Sequence, residues 1–291
     1  MSFQRQGFAG PLDIISGEES QLALEQVQNE LAKGTNRFKL HLVMPSIDKI
    51  AHHPKLVSAV KEALHSENIW LWSSDINTKE GRSANFFAPH QDATYAGLSP
   101  SSQCLTAWVA LSDPIGANKG CLSFYPESHR LGQLPHQTEK NNNNMLTMGQ
   151  YIESTTMQTL QSPISIPLRR GQATLHSFDC VHASGTNNSD KPRVGLALRY
   201  MTSNVVQTKL NREMASWICG SSPSETTAFD REPQLSSVAK DIQRGREVQK
   251  EALERWEANN FDAEPRLPSH PTEDQVERGR KAQREAMKYE D

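Results

Sequence analysis

Apolar residues recur at the spacing of an amphipathic helix in two segments near the N-terminus. Residues 18–31 form the first segment, and Gly34 after it is a residue type that commonly ends a helix. Residues 56–64 form the second segment, which opens after Pro54, a residue suited to a first helical turn. The pattern predicts two helices whose apolar faces carry Leu22, Leu24, Val27 and Leu31 in the first and Leu56, Val57, Val60 and Leu64 in the second.

The pattern changes after Trp70 to short apolar runs separated by turn-forming residues. The runs cover residues 69–72, 105–111, 122–125, 173–175 and 194–200, and they are rich in the β-branched and aromatic residues that strands favour. Turn-forming stretches stand between them, at Asp113-Pro114, at residues 118–120 and at residues 187–190. Many short strands with this punctuation predict an antiparallel sandwich or barrel.

Two polar segments stand out against this β-rich region. Residues 137–150 contain four consecutive asparagines, 141–144, and predict a solvated insertion between core strands. Beyond residue 221 the chain is hydrophilic, with helical composition at 238–256 and 275–289 and three prolines between these stretches. We therefore predict a catalytic domain over residues 1–220, with a β core at about 69–205, and a polar helical extension over 221–291. The extension is either a solvated tail or a lid or subunit contact anchored by Trp256, because an isolated polar helix is marginal in water.

Composition narrows the class of protein. The net charge of −3 creates no global field that would recruit nucleic acid or an anionic membrane. No run approaches the roughly 18 apolar residues that span a bilayer, and the N-terminus lacks the apolar core of a signal peptide. The four cysteines show no CxxC spacing, as expected of reduced core thiols. We expect a cytoplasmic protein, monomeric or homodimeric, that acts on a small molecule and binds neither nucleic acid nor membrane.

The strongest chemical signal is the tripeptide His90-Gln91-Asp92. In a strand, residues two apart point to the same face, so His90 and Asp92 would present an imidazole nitrogen and a carboxylate oxygen side by side. With one more histidine this pair forms a two-histidine, one-carboxylate triad, which leaves metal positions open for small molecules. Taken alone the spacing is weak, since it also occurs by chance in chains that bind no metal.

The third ligand has three candidates, His129, His176 and His182. Ser184 lies two residues after His182 and so shares its face of a strand. Arg193 follows across a polar turn, and a hairpin folded there brings it back beside both. An arginine fork binds a carboxylate through two hydrogen bonds and stays charged. The hairpin therefore predicts a metal ligand, a hydroxyl and a carboxylate clamp in one place, whereas His176 has no such companions and is expected in the core or beside a ligand.

Further motifs accompany this constellation between Trp70 and Tyr200. They are Thr106-Ala107-Trp108-Val109-Ala110-Leu111, Gly120-Cys121-Leu122, Pro126-Glu127-Ser128-His129, His182-Ala183-Ser184-Gly185 and Arg199-Tyr200. With residues 90–92 and Arg193, they make this stretch resemble the phytanoyl-CoA dioxygenase family of iron(II)/2-oxoglutarate enzymes. The stretch departs from the family pattern at Glu127, where the family usually has Gly.

The resemblance implies a fold and a metal. The fold is mainly β with helical decoration: a double-stranded β-helix, meaning two facing sheets that form an open barrel, with N-terminal helices and a polar helical tail. The metal is Fe²⁺ held by His90, Asp92 and His182, with no catalytic residue beyond these ligands. Related halogenases replace the carboxylate ligand with Ala or Gly, so the presence of Asp92 favours hydroxylase-type outcomes.

The resemblance also implies 2-oxoglutarate and O₂ as cosubstrates. The 2-oxoglutarate carboxylate would contact Arg193 and Ser184, and Trp108 would line its pocket. Lys39 would correspond to a family lysine that contacts the cosubstrate, although a solvated lysine is an equal alternative at this position.

The substrate is the least constrained part of the function. Tyr95, Trp72 and Phe87 flank the metal motif and are candidates for substrate contact, although the tryptophan also fits plain core packing. The segments expected near the pocket mouth, 86–102 and 141–156, contain no Lys or Arg, which argues against the phosphates of a CoA thioester unless the fold brings Lys79, Arg82 or the basic tail to the rim. We predict a free small molecule, such as a specialised metabolite or modified amino acid, that is hydroxylated, desaturated or oxidatively cyclised. The alternatives are an acyl-CoA hydroxylase of the same family and a non-redox cupin-type metal enzyme.

Overall fold

The computed structural model describes residues 3–112, 115–209, 211–221, 228–234 and 239–262. Within these ranges the helices, in chain order, are α1 (Phe3–Gln6), α2 (Gly17–Ala32), α3 (Pro45–Ala51), α4 (Pro54–Leu64), α5 (Ala93–Ala96), α6 (Ser154–Met157) and α7 (Ala239–Glu257). The strands are β1 (Phe8–Asp13), β2 (Ile69–Lys79), β3 (Phe87–His90), β4 (Leu98–Ser99), β5 (Cys104–Ala110), β6 (Leu122–Phe124), β7 (Gln137–Thr138), β8 (Gln150–Tyr151), β9 (Ile164–Ser165), β10 (Gln172–Ser177), β11 (His182–Ser184), β12 (Arg193–Thr202), β13 (Val206–Gln207), β14 (Met214–Cys219) and β15 (Asp230–Arg231).

Two sheets face each other and enclose the site. The main sheet has seven strands in the order β1-β10-β5-β12-β2-β14-β15, and the second sheet has four in the order β3-β11-β6-β9. Neighbours pair antiparallel, except β14 and β15, which are parallel. Trp108 and Ala197 of the main sheet share one buried apolar cluster with Leu122 and Phe124 of the second, so the inner faces pack together. This is the predicted double-stranded β-helix, and the mainly β class with helical decoration is confirmed.

The N-terminal helices pack on the outer face of the main sheet. Helix α2 begins with a capping box, in which Ser16 and Glu19 exchange hydrogen bonds between side chain and backbone. Helices α3 and α4 each begin with a proline in the first turn. Both predicted helices are present as α2 and α4, but Leu22 is 58% exposed instead of lying on the buried face. None of the described helices has the length and apolar content required to cross a bilayer.

Each predicted apolar run coincides with a strand, namely β2, β5, β6, β10 and β12, although Leu111 and Tyr125 lie one residue beyond the ends of β5 and β6. Strands β1 and β14 of the main sheet were not predicted, because β1 contains Gly and Pro and β14 lies beyond the last predicted run. The predicted helix at 238–256 is present as α7. The turn at Asp113-Pro114, the three tail prolines and the predicted helix at 275–289 lie outside the described residues.

The asparagine-rich insertion is ordered against β3. Met145 N donates to Phe86 O at 2.9 Å, and Phe86 N donates to Asn143 O at the same distance. The Asn144 side chain accepts from Ala88 N at 3.4 Å and donates to Gln150 O at 3.1 Å. The insertion therefore continues the edge of the second sheet beside the metal motif, while its asparagines at 141–143 remain exposed.

The described residues beyond 220 pack against the core. Strand β15 extends the main sheet beside β14. The fully buried Glu232 carboxylate contacts Lys39 Nζ at 2.7 Å and His41 Nε2 at 2.9 Å. In α7, the Trp256 ring lies 5.9 Å from the ring of Phe38. The division of the chain into two units at residue 220 stays a prediction.

Candidate active site

The side chains that could bind a metal or an anion lie in one pocket between the two sheets. Four adjacent strands of the main sheet, β10, β5, β12 and β2, direct polar residues inwards, and β3 and β11 of the second sheet face them. The pocket has imidazoles and a carboxylate at its centre and two arginines, Arg193 and Arg199, from one strand. The remaining lining is largely apolar and includes Phe87, Leu122 and Leu146.

His90, Asp92 and His182 form a group that can hold a metal ion. One ligand atom from each lies within 4.8 Å of the others, and all three residues are buried. His90 and His182 are direct cross-strand partners on β3 and β11. Their Nδ1 atoms bond the backbone oxygens of Ala88 at 2.8 Å and Cys180 at 3.0 Å, which leaves both Nε2 atoms free for a metal. These Nε2 atoms lie 3.6 and 3.8 Å from Asp92 Oδ1.

The protonation states suit a divalent cation. Burial would raise the pKa of Asp92, but His176, His90, Arg199 and His182 hold it well below its ordinary value, so it is an anionic donor. Burial, with the neighbouring imidazoles, lowers the pKa of His182 well below its ordinary value, so it is a neutral donor. Two imidazole nitrogens and one carboxylate on one side of an ion match the triad of non-haem iron(II) oxygenases.

The other two candidate histidines lie differently. His176 lines the pocket, with its Nε2 atom 3.7 Å from Asp92 Oδ2, and within the described residues neither of its ring nitrogens has a hydrogen-bond partner. It is a neighbour of the metal group and is not one of its members. His129 bonds Gln4 O at 3.0 Å and is not part of the pocket lining.

A cationic end of the pocket is built around Ser184. Arg193 and Lys79 are cross-strand partners on β12 and β2, and both are fully buried. Arg193 Nη1 and Lys79 Nζ both donate to Ser184 Oγ, at 2.9 and 2.6 Å, and that hydroxyl donates to Gly120 O. Burial and Arg193 lower the pKa of Lys79 to about 6. A buried guanidinium beside a lysine that a nearby anion would protonate is suited to an anionic ligand.

The Arg193 guanidinium is oriented but incompletely bonded. Its carbon lies 4.5 Å from the ring centroid of Trp108. The ring approaches β12 so closely that a Cβ at Gly195 would stand 1.8 Å from it, so only glycine fits there. Within the described residues, Nε and Nη2 of Arg193 have no hydrogen-bond partner. Buried donors are normally satisfied, and two free donors on one guanidinium have the geometry that suits a carboxylate.

A sequence-family model described as phytanoyl-CoA dioxygenase matches residues 24–195, more than half of the chain. The chain belongs to the phytanoyl-CoA dioxygenase family. This assignment confirms the resemblance drawn from the sequence, and with it the family's cofactor class, iron(II) with 2-oxoglutarate. The donor set and the free guanidinium donors described above fit both groups.

Named relatives in this family differ in how much of the chain they match. Phytanoyl-CoA dioxygenase domain-containing protein 1 of Danio rerio is 29% identical over 154 residues, which are 53% of this chain and 52% of that protein. Ectoine dioxygenase of Bordetella parapertussis is 26% identical over 238 residues, 72% of this chain and 75% of its own. The chain thus spans about half the length of the first of these relatives.

Solved structures agree on the fold. The non-heme monooxygenase ThoJ in its apo form superimposes with a TM-score of 0.72 at 24% identity and covers 96% of this chain and 98% of its own. CytC3 with Fe(II) and alpha-ketoglutarate superimposes with a TM-score of 0.58 at 19% identity, over 80% and 91% of the two chains. At these identities the likeness shows the shared fold.

The structure brings most of the predicted site residues of this phytanoyl-CoA dioxygenase family member together, but not all. Tyr95 and Phe87 line the pocket. Trp72 is not part of the pocket lining, and its indole Nε1 donates to Glu213 Oε2 at 2.6 Å. Lys39 is also outside the pocket, since its Nζ atom contacts Glu232 and two backbone oxygens.

Sequence reasoning gave no role beside the metal or the cosubstrate to Lys79, Thr106 or Arg199, although the last two belong to the motifs that carry the family resemblance. Lys79 stands at the cationic end, where Lys39 had been expected, and Thr106 and Arg199 surround Asp92. At Glu127, where the family usually has Gly, the backbone keeps a left-handed conformation with φ 61°, so the turn is retained without glycine.

Proposed function

We propose that the chain catalyses oxidation of a small organic molecule by O₂, with 2-oxoglutarate as cosubstrate and Fe²⁺ held by His90, Asp92 and His182. One observation carries the proposal: a two-histidine, one-carboxylate group and a buried guanidinium with free donors line the same pocket. When bound, iron, 2-oxoglutarate and O₂ supply the oxidising power that breaks a substrate C–H bond, with release of succinate and CO₂.

The cationic end would bind the cosubstrate carboxylate that lies away from the metal. The free Nε and Nη2 donors of Arg193 suit a bidentate contact, and the Trp108 ring packs against the guanidinium, 4.5 Å from its carbon. Ser184 joins Arg193 to Lys79, which would add a second positive charge once it is protonated. A carboxylate at this place would favour protonated Lys79, since an opposite charge favours the charged form.

A free small molecule is the proposed substrate class, with hydroxylation, desaturation or oxidative cyclisation as the outcome. The pocket takes Phe87, Tyr95 and Leu146 from the segments 86–102 and 141–156, which contain no Lys or Arg. A CoA thioester would need basic groups for its phosphates. The relative named ectoine dioxygenase supports a free small molecule, whereas the relatives named for a phytanoyl-CoA dioxygenase domain keep an acyl-CoA as the alternative. The cytoplasmic location and the monomer or homodimer state also stay predictions.

Substrate class can be decided with a panel of free acids, amino acids and acyl-CoAs. We expect 2-oxoglutarate decarboxylation to be stimulated by a free small molecule and to yield one succinate per oxidised product. Stimulation by acyl-CoAs alone would establish the alternative. A non-redox cupin-type enzyme would turn over no 2-oxoglutarate with any compound.

Arg193→Met should weaken 2-oxoglutarate binding by roughly tenfold to a hundredfold, because it removes a charge-assisted contact of about 1.5–3 kcal/mol. The measurement is anaerobic titration of the Fe²⁺-loaded protein with 2-oxoglutarate, followed by its weak visible charge-transfer band. Arg82→Met is the control, since Arg82 is exposed and paired with Asp190. Equal affinities in the two variants would contradict the assignment of the cationic end.

A further inference from the structure

The hydroxyl of Tyr95 contacts the carboxylate that would bind iron. Its oxygen lies 2.5 Å from Asp92 Oδ1, which is the carboxylate oxygen facing the Nε2 atoms of His90 and His182. Thr106 Oγ1 lies 2.5 Å from the other oxygen, Oδ2. Each oxygen of Asp92 therefore has its own hydroxyl donor.

Arg199 determines the direction in which the Tyr95 hydroxyl donates. Arg199 Nη2 donates to the Tyr95 oxygen at 3.1 Å. A guanidinium accepts no hydrogen bond, so the single phenol hydrogen is left for Asp92. Nη1 of Arg199 bonds the Asp75 carboxylate and Ser73 Oγ, which fixes the guanidinium in place.

The C-terminal segment, residues 258–262 after α7, is connected to Tyr95 through Lys209. Lys209 Nζ donates to the backbone oxygen of Tyr95 at 2.6 Å and to Asn260 Oδ1 at 2.7 Å. The stem of Lys209 lies over Gly97, where a Cβ would stand 2.5 Å from its Cε. Asn260 Nδ2 in turn donates to Trp256 O at the end of α7. The segment that follows α7 is thus connected to α5, the short helix directly after Asp92.

We propose that Tyr95 is a positioning residue for the iron-binding carboxylate, and that the C-terminal segment holds Tyr95 in place through Lys209. This inference rests on the proposed function and assigns to Tyr95 a role other than the substrate contact expected from the sequence. Hydrogen bonds to a metal-binding carboxylate fix its orientation and tune its donor strength, so they act on metal affinity before any substrate arrives.

Tyr95→Phe isolates this role, because it removes only the hydroxyl. We expect the Fe²⁺ affinity of the apo protein, measured anaerobically against a competing chelator, to fall by about tenfold to a hundredfold. The 2-oxoglutarate affinity of the fully iron-loaded variant should stay close to that of the wild type, because the cationic end is untouched. Tyr125→Phe is the matched control, since Tyr125 is half-buried and outside the pocket.

The link to the C-terminal segment is tested by a double-mutant cycle. Lys209→Met should lower Fe²⁺ affinity by roughly threefold to tenfold in the wild type and by almost nothing in Tyr95→Phe, because the two residues act in one pathway. Asn260→Ala interrupts the same connection and serves as a second variant if Lys209→Met does not fold. Circular dichroism of each apo variant checks that the fold is retained.

Three results would overturn the inference, and they are distinguishable from failure of the proposed function. An Fe²⁺ affinity of Tyr95→Phe equal to that of Tyr125→Phe would exclude the positioning role. Equal losses for Tyr95→Phe in iron and 2-oxoglutarate affinity would indicate a general disturbance of the pocket. Additive effects in the cycle would exclude the path through Lys209. Absence of Fe²⁺ binding by the wild type would instead refute the proposed function itself.

Discussion

His182→Ala is expected to abolish turnover and to lower Fe²⁺ affinity by more than about a hundredfold. Removing a metal ligand should cost more affinity than removing a residue that only hydrogen-bonds to a ligand. The substitution removes one of the two nitrogen donors of the metal group. The apo fold should be retained, because the side chain faces the pocket and its backbone remains paired with both β3 and β6. Asp92→Ala and His90→Ala should act in the same way. The measurements are iron content after anaerobic reconstitution and 2-oxoglutarate decarboxylation.

Two further histidine variants control this result. His129→Ala should keep iron and activity, since His129 contacts Gln4 outside the pocket. His176→Ala should keep iron and measurable activity, because His176 neighbours Asp92 without belonging to the metal group. Loss of iron from His176→Ala with retention in His182→Ala would show that the wrong histidine has been assigned.

Glu232→Gln is expected to lower the free energy of unfolding by about 3–5 kcal/mol, the range for breaking a buried ion pair on one side. The change leaves the Lys39 ammonium buried without its carboxylate, and it also removes the carboxylate beside His41, which keeps its contacts with Ser74 and Ser216. Chemical denaturation of the apo protein measures the difference. Asp190→Asn is the control, because its partner Arg82 is 79% exposed and such pairs contribute about 0–1 kcal/mol.

The effect of Glu232→Gln should depend on pH in a defined window. Burial raises the pKa of Glu232, but Lys39 and His41 outweigh it and hold the pKa at about 2, below the ordinary value of 4.5. A carboxyl group with a lowered pKa in the folded state stabilises it fully above the unfolded pKa and less as pH falls. Wild type and variant should therefore converge between about pH 4.5 and pH 2. A difference that stays constant through this window would show that the carboxylate charge is not the cause.

The sequence predicts the parts of the site that follow from residue types at short spacing. His90 and Asp92 are two residues apart, although Asp92 lies just beyond the end of β3, and His182 and Ser184 repeat that spacing in β11. The hairpin predicted to bring Arg193 to them is wrong, because β11 and β12 lie in different sheets, and Arg193 meets Ser184 from the facing sheet. The structure places all five in one region. The inferences on the metal ligands need only short spacing and the chemistry of the residue types.

The missed residues depend on pairings between distant segments. Lys79 meets Arg193 only because β2 pairs with β12 in one particular register. The same register brings Asp75 and Ser73 to Arg199, and the sequence around Asp75 does not predict that contact. Lys39 was expected at the cosubstrate but pairs with Glu232, which lies far along the chain in a segment of polar composition. The composition of that segment indicates that it is hydrophilic, but it does not indicate that one of its carboxylates is buried.

Because His90 and His182 are direct cross-strand partners, a bound metal would also affect the stability of the sheet that carries them. Strand β3 lies at the edge of its sheet, and its partner β11 carries the other histidine opposite. An ion bound to both side chains cross-links the edge strand to its neighbour, and it can do so in only one register, because a slip by one residue would turn a histidine to the opposite face. Binding to the folded state alone stabilises that state. We therefore expect iron to slow hydrogen exchange most strongly in β3 and in the asparagine-rich insertion hydrogen-bonded to it, so that starvation for iron would leave this edge the most open to proteases.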